Sequence, residues 1–208
     1  DHAKMKWLIF QKDMEPDTNR VIGELLSKKL PGNVIIDGGA FVGDTTLFMA
    51  KVAKKHNPNI TIVAIDPDPT NMEFLQKIAL QNNLDNIITV TGALGDKSTH
   101  VTLTDQHPCM KKVIESNDEK DVRMYTLDGL LEDLGIPYSD VGFIHYDLEG
   151  YEWNALLGSE KTLSATSADI MLELWPTAGT IIEKDEGKKK KKAMEWYNST
   201  EKKVNNFL

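Results

Sequence analysis

A carboxylate set beside a glycine turn is the feature of this chain best suited to chemistry. In NVIIDGGAFVGDTT, residues 33–46, the apolar run Val34-Ile35-Ile36 ends on Asp37 and turns through Gly38-Gly39-Ala40. After Gly43 a helix is expected to open at Asp44-Thr45-Thr46. Glycine lets a chain turn tightly and lets a ligand approach the backbone, and the helix that follows offers unpaired N–H groups. A dinucleotide site usually reads G-x-G-x-x-G, with the pyrophosphate on the helix N-terminus. The spacing here is D-x-G-x-x-x-G. A carboxylate at that point repels a pyrophosphate and suits an ammonium or a sulfonium, and S-adenosylmethionine carries both. No G-x-x-x-x-G-K-[ST] is present, which excludes a P-loop. The plainer alternative is a strand-turn-helix whose glycines only make the bend.

A second acid strengthens the cofactor reading. ITIVAIDP, residues 60–67, is a buried strand ending in Asp66-Pro67, and Asp66 follows Gly43 by 23 residues. That is close to the spacing at which an acid accepts hydrogen bonds from ribose hydroxyls. The alternative for Asp66 is a cap on the helix that begins near Asn71. The third acidic segment is HYDLEGYEWNALLGSEKTL, 145–163, where Asp147, Glu149 and Glu152 crowd the end of a strand. Buried charges need partners, so such acids imply a cation, a metal, or donors from cofactor and substrate. Glu152 has a plainer reading as a first-turn acid favoured by the helix dipole. Glu173, near the end of the next strand, projects toward the same cleft.

The elements that must position these residues alternate between strand and helix. A helix is expected over 17–30, then strand 33–38, helix 44–55, strand 60–66, helix 69–82 and strand 86–94. Residues 100–105 and 121–126 alternate like a pair of extra strands, and the segment between them reads as an exposed loop. A short helix over 127–134 follows, then a strand ending at Asp147, a helix over 151–158 and a strand over 168–175. Alternation of this kind implies an α/β fold with a doubly wound, mostly parallel sheet flanked by helices. Its ligand crevice lies at the carboxyl ends of the strands. The candidate cofactor-binding residues are Asp37, Gly39, Ala40, Phe41, Gly43, Asp44 and Thr45 in the first turn. Asp66 and Pro67 join them from the second strand, Ala93 and Leu94 from the third, and Asp147 from the strand before the acidic helix.

Length and composition bound the remainder. At 208 residues the chain fits one domain with a sound core, read as a core of about 17–176 and a polar segment over 177–208. With 27% charged and 40% hydrophobic residues it is an ordinary globular chain. A net charge of −8 argues against a nucleic-acid partner bound through its phosphates. The single cysteine, Cys109, gives neither an internal disulfide nor a metal-site spacing. No apolar run is long enough to span a membrane and no signal peptide is visible, so a cytoplasmic location is expected. The lysine run 188–192 follows Glu183, Asp185 and Glu186 and reads as a solvated helix face. The chain starts at Asp1 rather than Met, and is expected to be a piece of a longer polypeptide with further domains as partners.

The segments IIDGGAFVGDTTL, VAIDPDP, GALGD, TLDGLL and DLEGYEWNALLGSEKTL resemble the FkbM-type methyltransferases. The likeness covers roughly residues 30–175. Its most specific part is the aspartate strand end followed by V-E-G-x-E-x-x-x-L-x-G, met here by Asp147, Leu148, Glu149, Gly150, Glu152, Leu156 and Gly158. The resemblance implies a Rossmann-like class I fold, S-adenosylmethionine as cofactor, S-adenosylhomocysteine as product, and methyl transfer to a hydroxyl of a sugar or glycoconjugate. This chain departs from the pattern at Phe41, Asp66 and His145, where family members often carry Asn, Glu and Lys. Asp for Glu shortens the ribose contact but keeps its chemistry. Histidine for lysine exchanges a fixed cation for a titratable group, and His145 reads as structural.

Under this reading Asp147 faces the transferring methyl, while Glu149, Glu152 and Glu173 are the candidate base or substrate-orienting acids. A carboxylate base helps a sugar hydroxyl, a poor nucleophile at neutral pH, to lose its proton. Two alternatives stay open. One is a metal-assisted O-methyltransferase of a small non-sugar hydroxyl compound, its divalent ion held by Asp147 and neighbouring acids through oxygen ligands. It is not favoured, because a histidine-rich ligand set is missing. The other is a non-catalytic interaction module that merely keeps the fold.

Overall fold

A computed structural model of the chain describes residues 16–103, 113–116, 118 and 121–173. Helix α1 (Pro16–Leu26) leads into strand β1 (Val34–Gly38), helix α2 (Asp44–His56), strand β2 (Thr61–Asp66), helix α3 (Pro69–Gln81) and strand β3 (Ile87–Thr91). Short strands β4 (Ala93–Leu94), β5 (Thr99–Leu103), β6 (Val113–Ser116) and β7 (Val122–Tyr125) come next. Helix α4 (Leu127–Leu134) and a 3₁₀ turn (Tyr138–Asp140) precede strand β8 (Val141–Tyr146). Helices α5 (Glu152–Leu157) and α6 (Glu160–Ala165) and strand β9 (Asp169–Leu172) complete the described residues.

The main sheet runs β3-β2-β1-β8-β9, and every pair in it is parallel. The chain leaves β1 for β2 and β3 on one side and returns to β8 and β9 on the other. The order therefore reverses between β1 and β8, the place where open α/β sheets bind ligands. Strands β1 and β8 are buried along their whole length and β2 along all but its first residue. Continuous burial is what helices on both faces require, and it explains runs such as Val34-Ile35-Ile36 in place of a polar alternation.

The two faces share the side chains by parity. Ile35, Ile62, Ala64 and Phe143 pack with Ile22, Met49 and Leu75 of α1, α2 and α3. Val34, Ile36, Val63 and Ile65 pack with Leu127 and Leu131 of α4 and Leu156 of α5. In β8 the alternation is re-phased once: Val141 and Ile144 lie on the same face. The register against β1 slips between Val34 and Ile35, and one extra residue in a strand does this. Gly142 is that extra residue, where a Cβ would lie 2.5 Å from the Gly32 carbonyl oxygen. The slip puts His145 on the α2 face, the face of Asp37.

Several elements differ from the sequence expectations. The strand expected over 86–94 is two strands. Gly92 turns the chain where a Cβ would come within 2.5 Å of the Tyr125 ring, and β4 leaves the main sheet to pair with β7. The segment read as a loop between the extra strands contains β6, which pairs antiparallel with β5, so a four-stranded side sheet β4-β7-β5-β6 forms. Helix α1 ends at Leu26, short of residue 30. Helix α6 was not expected. Its N-terminal amides are held from another helix, since Asp128 of α4 accepts from Lys161 N (2.9 Å), Thr162 N (2.9 Å) and Thr162 Oγ1 (2.7 Å). Cys109, the lysine run and the 177–208 segment lie outside the described residues. Among the described residues no helix is long and apolar enough to cross a membrane.

Candidate active site

The carboxyl ends of β1 and β8 meet backbone to backbone. Asp147 N donates to Gly38 O (2.9 Å), and Gly39 N and Ala40 N both donate to Ile65 O at the end of β2 (2.9 and 3.0 Å). Gly39 has φ +82°, and a Cβ there would stand 1.7 Å from the Asp147 carbonyl oxygen. Only glycine satisfies both conditions. Gly43, at φ +92°, opens α2 without a side-chain cap, and a Cβ on it would run into Leu75. The first-turn N–H groups of α2 are thus left to backbone, water or ligand.

Asp37 sits behind this turn. Its side chain is 1% exposed. One oxygen accepts from the Thr46 hydroxyl and the other lies 2.9 Å from Nδ1 of His145, itself 3% exposed. A carboxylate only accepts, so Nδ1 carries the proton of that bond. Both Asp37 oxygens are therefore engaged from β8 and α2. Thr46 was read from the sequence only as part of the helix start, not as a site residue. Its signal was available: it is in the first turn of the helix that covers the Asp37 face.

Asp66 is 8% exposed and ties three pieces of backbone together. Its Oδ2 accepts from Phe41 N (3.0 Å), and Oδ1 accepts from Asp68 N (2.9 Å) and Asn71 Nδ2 (3.0 Å). Phe41 is held in a left-handed conformation, φ +45°, by this contact. The helix cap proper is Asp68, whose side chain accepts from Thr70 N. Of about four acceptor positions on a carboxylate, Asp66 has one left, on Oδ2. Burial raises its pKa, against the lowering effect of its hydrogen bonds. Pro67 is half-buried beside it. Leu94 is buried against the Gly38 turn, where a Cβ on Gly38 would lie 2.9 Å from its Cδ1. Ala93 packs instead with Val101 and Met124 of the side sheet.

The acids after β8 fall into two kinds. Asp147, Glu149 and Glu173 are half-buried. Glu173 N donates to Tyr146 O (2.8 Å), which fixes the end of β9 to β8. Glu152 is 0% exposed. Its Oε1 accepts from both Leu148 N (2.9 Å) and Gly150 N (3.1 Å). Burial is the largest cause raising its pKa, and the nearby Glu173 carboxylate adds to it. In this turn Glu149 stands at φ +52° and Gly150 at φ +99°. A non-glycine residue in that region costs about 1–3 kcal/mol and persists only where surroundings hold it. Among the described residues no group of three or more His, Cys, Asp or Glu could hold a metal ion.

This donor set fits an adenosine-containing cofactor. The glycines bring the β1 turn into close contact with Asp147 and Leu75, an acid ends β2 with one acceptor position unfilled among the described residues, and α2 starts without a side-chain cap. A cavity of about 370 Å³ lies at the opposite end of the sheet, among Leu26, Leu30, Asn33, His56 and Ile60.

Comparison with known proteins gives one family. The family model described as "Methyltransferase FkbM domain" matches residues 37–197. A search of curated proteins found no match. Among solved structures, a methyltransferase FkbM from Methylobacillus flagellatus KT aligns at 18% identity and TM-score 0.48, over 71% of this chain and 34% of that one. The aligned chain thus spans about a third of that relative. A protein described as a putative rRNA-methylase from Clostridium thermocellum aligns at 12% identity and TM-score 0.47, over 87% and 81%. A precorrin-6y C5,15-methyltransferase from Geobacter metallireducens GS-15 aligns at 16% identity and TM-score 0.46, over 90% and 74%.

Proposed function

Because this chain belongs to the FkbM methyltransferase family, we propose that it is an S-adenosylmethionine-dependent O-methyltransferase acting on a sugar hydroxyl of a glycan or glycoconjugate. The observation that supports the reading is a glycine turn, a β2-end acid and three half-buried acids at the carboxyl ends of the neighbouring strands β2, β1, β8 and β9. When bound, the cofactor supplies an activated methyl group on a sulfonium. The protein's part is alignment, exclusion of water and handling of one proton.

In this reading the turn Gly38–Gly43 and the start of α2, with Asp44 and Thr45, take the cofactor. Asp66 accepts one ribose hydroxyl through Oδ2. Asp37, held by Thr46 and His145, stands behind the turn, where a carboxylate favours a cationic ligand over a pyrophosphate. Asp147 stands nearest the methyl position, and one of Asp147, Glu149 and Glu173 orients the acceptor hydroxyl and takes its proton. A neutral polyol suits such acids, because carboxylates accept several hydroxyl hydrogen bonds. An anionic acceptor would be repelled by them and by the net charge of −8.

The deciding experiment is transfer of a labelled methyl group to a neutral oligosaccharide, run beside RNA and a catechol, with and without exhaustive chelation. Transfer to the oligosaccharide that survives chelation is expected. Transfer only to RNA or only to the catechol would sink the sugar assignment. Loss on chelation with rescue by manganese or magnesium would establish the metal-assisted mechanism instead. Asp147→Asn and Glu149→Gln should lower turnover by about 10²-fold or more for whichever acts as base, with cofactor affinity much less changed.

A further inference from the structure

We propose that Glu152 is a positioning residue, whose carboxyl oxygen holds the left-handed turn 147–150 that carries Asp147 and Glu149. Two backbone N–H groups, of Leu148 and Gly150, converge on the single atom Oε1 at 2.9 and 3.1 Å. The residue between them, Glu149, is a non-glycine residue at φ +52°, and without Glu152 both half-buried amides lose their acceptor. Glu152 is also the first residue of α5, whose start has no other side-chain cap. Ala155 and Leu156 of that helix are fully buried, so the carboxyl fastens the turn to the core.

A base needs an oxygen that meets the acceptor hydroxyl. Glu152 is sealed from solvent, one oxygen is committed to the turn, and the other is buried without a hydrogen-bond partner among the described residues. Burial favours its neutral form, and a neutral acid offers the same acyl oxygen that an amide does. Glutamine at 152 therefore keeps the acceptor and removes the proton-accepting capacity, which separates holding from proton transfer. The kinetic part of this inference rests on the methyl-transfer reading, and the structural part does not.

The test compares Glu152→Ala and Glu152→Gln in the full chain, using amide hydrogen exchange at Leu148 and Gly150 with Ile36 and Ile144 as core references. Alanine is expected to speed exchange at the two turn amides about tenfold or more, as loss of a buried acceptor requires, and to leave the core amides alone. Glutamine is expected to restore protection, turnover and the wild-type pH profile. Should the alanine variant fail to fold, the double variant Glu149→Gly/Glu152→Ala is expected to fold, since glycine takes φ +52° without strain. Failure of the double variant to fold overturns the proposal, and so does an alanine variant with both amides as protected as in wild type. A glutamine variant with intact protection but turnover down about 10²-fold and one limb of the pH profile missing would make Glu152 the base. The exchange arm reads the same whether or not methyl transfer is the activity.

Discussion

In the proposed reading, Asp66 is one side chain serving fold and ligand together. Three of its acceptor positions hold Phe41 N, Asp68 N and Asn71 Nδ2, and the fourth is the one proposed to take a ribose hydroxyl. Removing the carboxylate should have two separable effects. Asp66→Ala should weaken S-adenosylmethionine binding by about 1.5–3 kcal/mol, roughly tenfold or more, for a lost bond to a charged group. It should also lower stability, because buried N–H groups lose their acceptor. Calorimetric titration beside a thermal melt checks both, and an unchanged affinity would remove Asp66 from the site. The types and positions of the acids were legible in the sequence: Asp37, Asp66 and Asp147 each end an apolar run. Their partners were not. Nothing in the one-dimensional order brings His145 to Asp37, because that depends on a register slip at Gly142, and Glu152 reads the same whether it caps a turn or meets a substrate.

The strand-helix rhythm was readable at the level of elements because apolar runs and helical spacing are local. The places where it failed are non-local. Gly92 parts β3 from β4 through a contact with Tyr125, and β6 exists because β5 offers it a partner. The polar string of α6 is stabilised by Asp128 from α4. That last arrangement makes its own prediction. Asp128→Ala strands the N–H groups of Lys161 and Thr162 and should cost about 1–3 kcal/mol in a urea or guanidinium titration. Cofactor affinity should hold, since α6 is on the α4 face, away from the glycine turn. A variant as stable as wild type would show that water replaces the carboxylate there.

The molecule as a whole carries two of its site-associated buried carboxyls in a costly state. Asp66 and Glu152 both have pKa values raised above their ordinary 3.8 and 4.5, chiefly by burial. A raised folded value means that the native state binds the proton more tightly than the unfolded chain. The stability this adds is complete below the unfolded values and is lost as pH rises through the folded ones. Glu152→Gln removes one of the two. The stability of that variant relative to wild type should therefore improve as pH climbs above about 4.5, measured by denaturant titration across a pH series. A gap that stays constant with pH would mean that Glu152 ionises freely in the fold.

The pairing of β1 with β8 sets a timetable for synthesis. Ile36 pairs with Ile144, 108 residues further along the chain, whereas β2 and β3 follow β1 closely and can pair with it early. Until β8 emerges, the flank of β1 that will face it is an open row of amides and carbonyls on an apolar strand, a template for wrong partners. Ribosomes add about 5–20 residues each second. For roughly 5–20 s of synthesis the middle strand of the finished sheet is its edge.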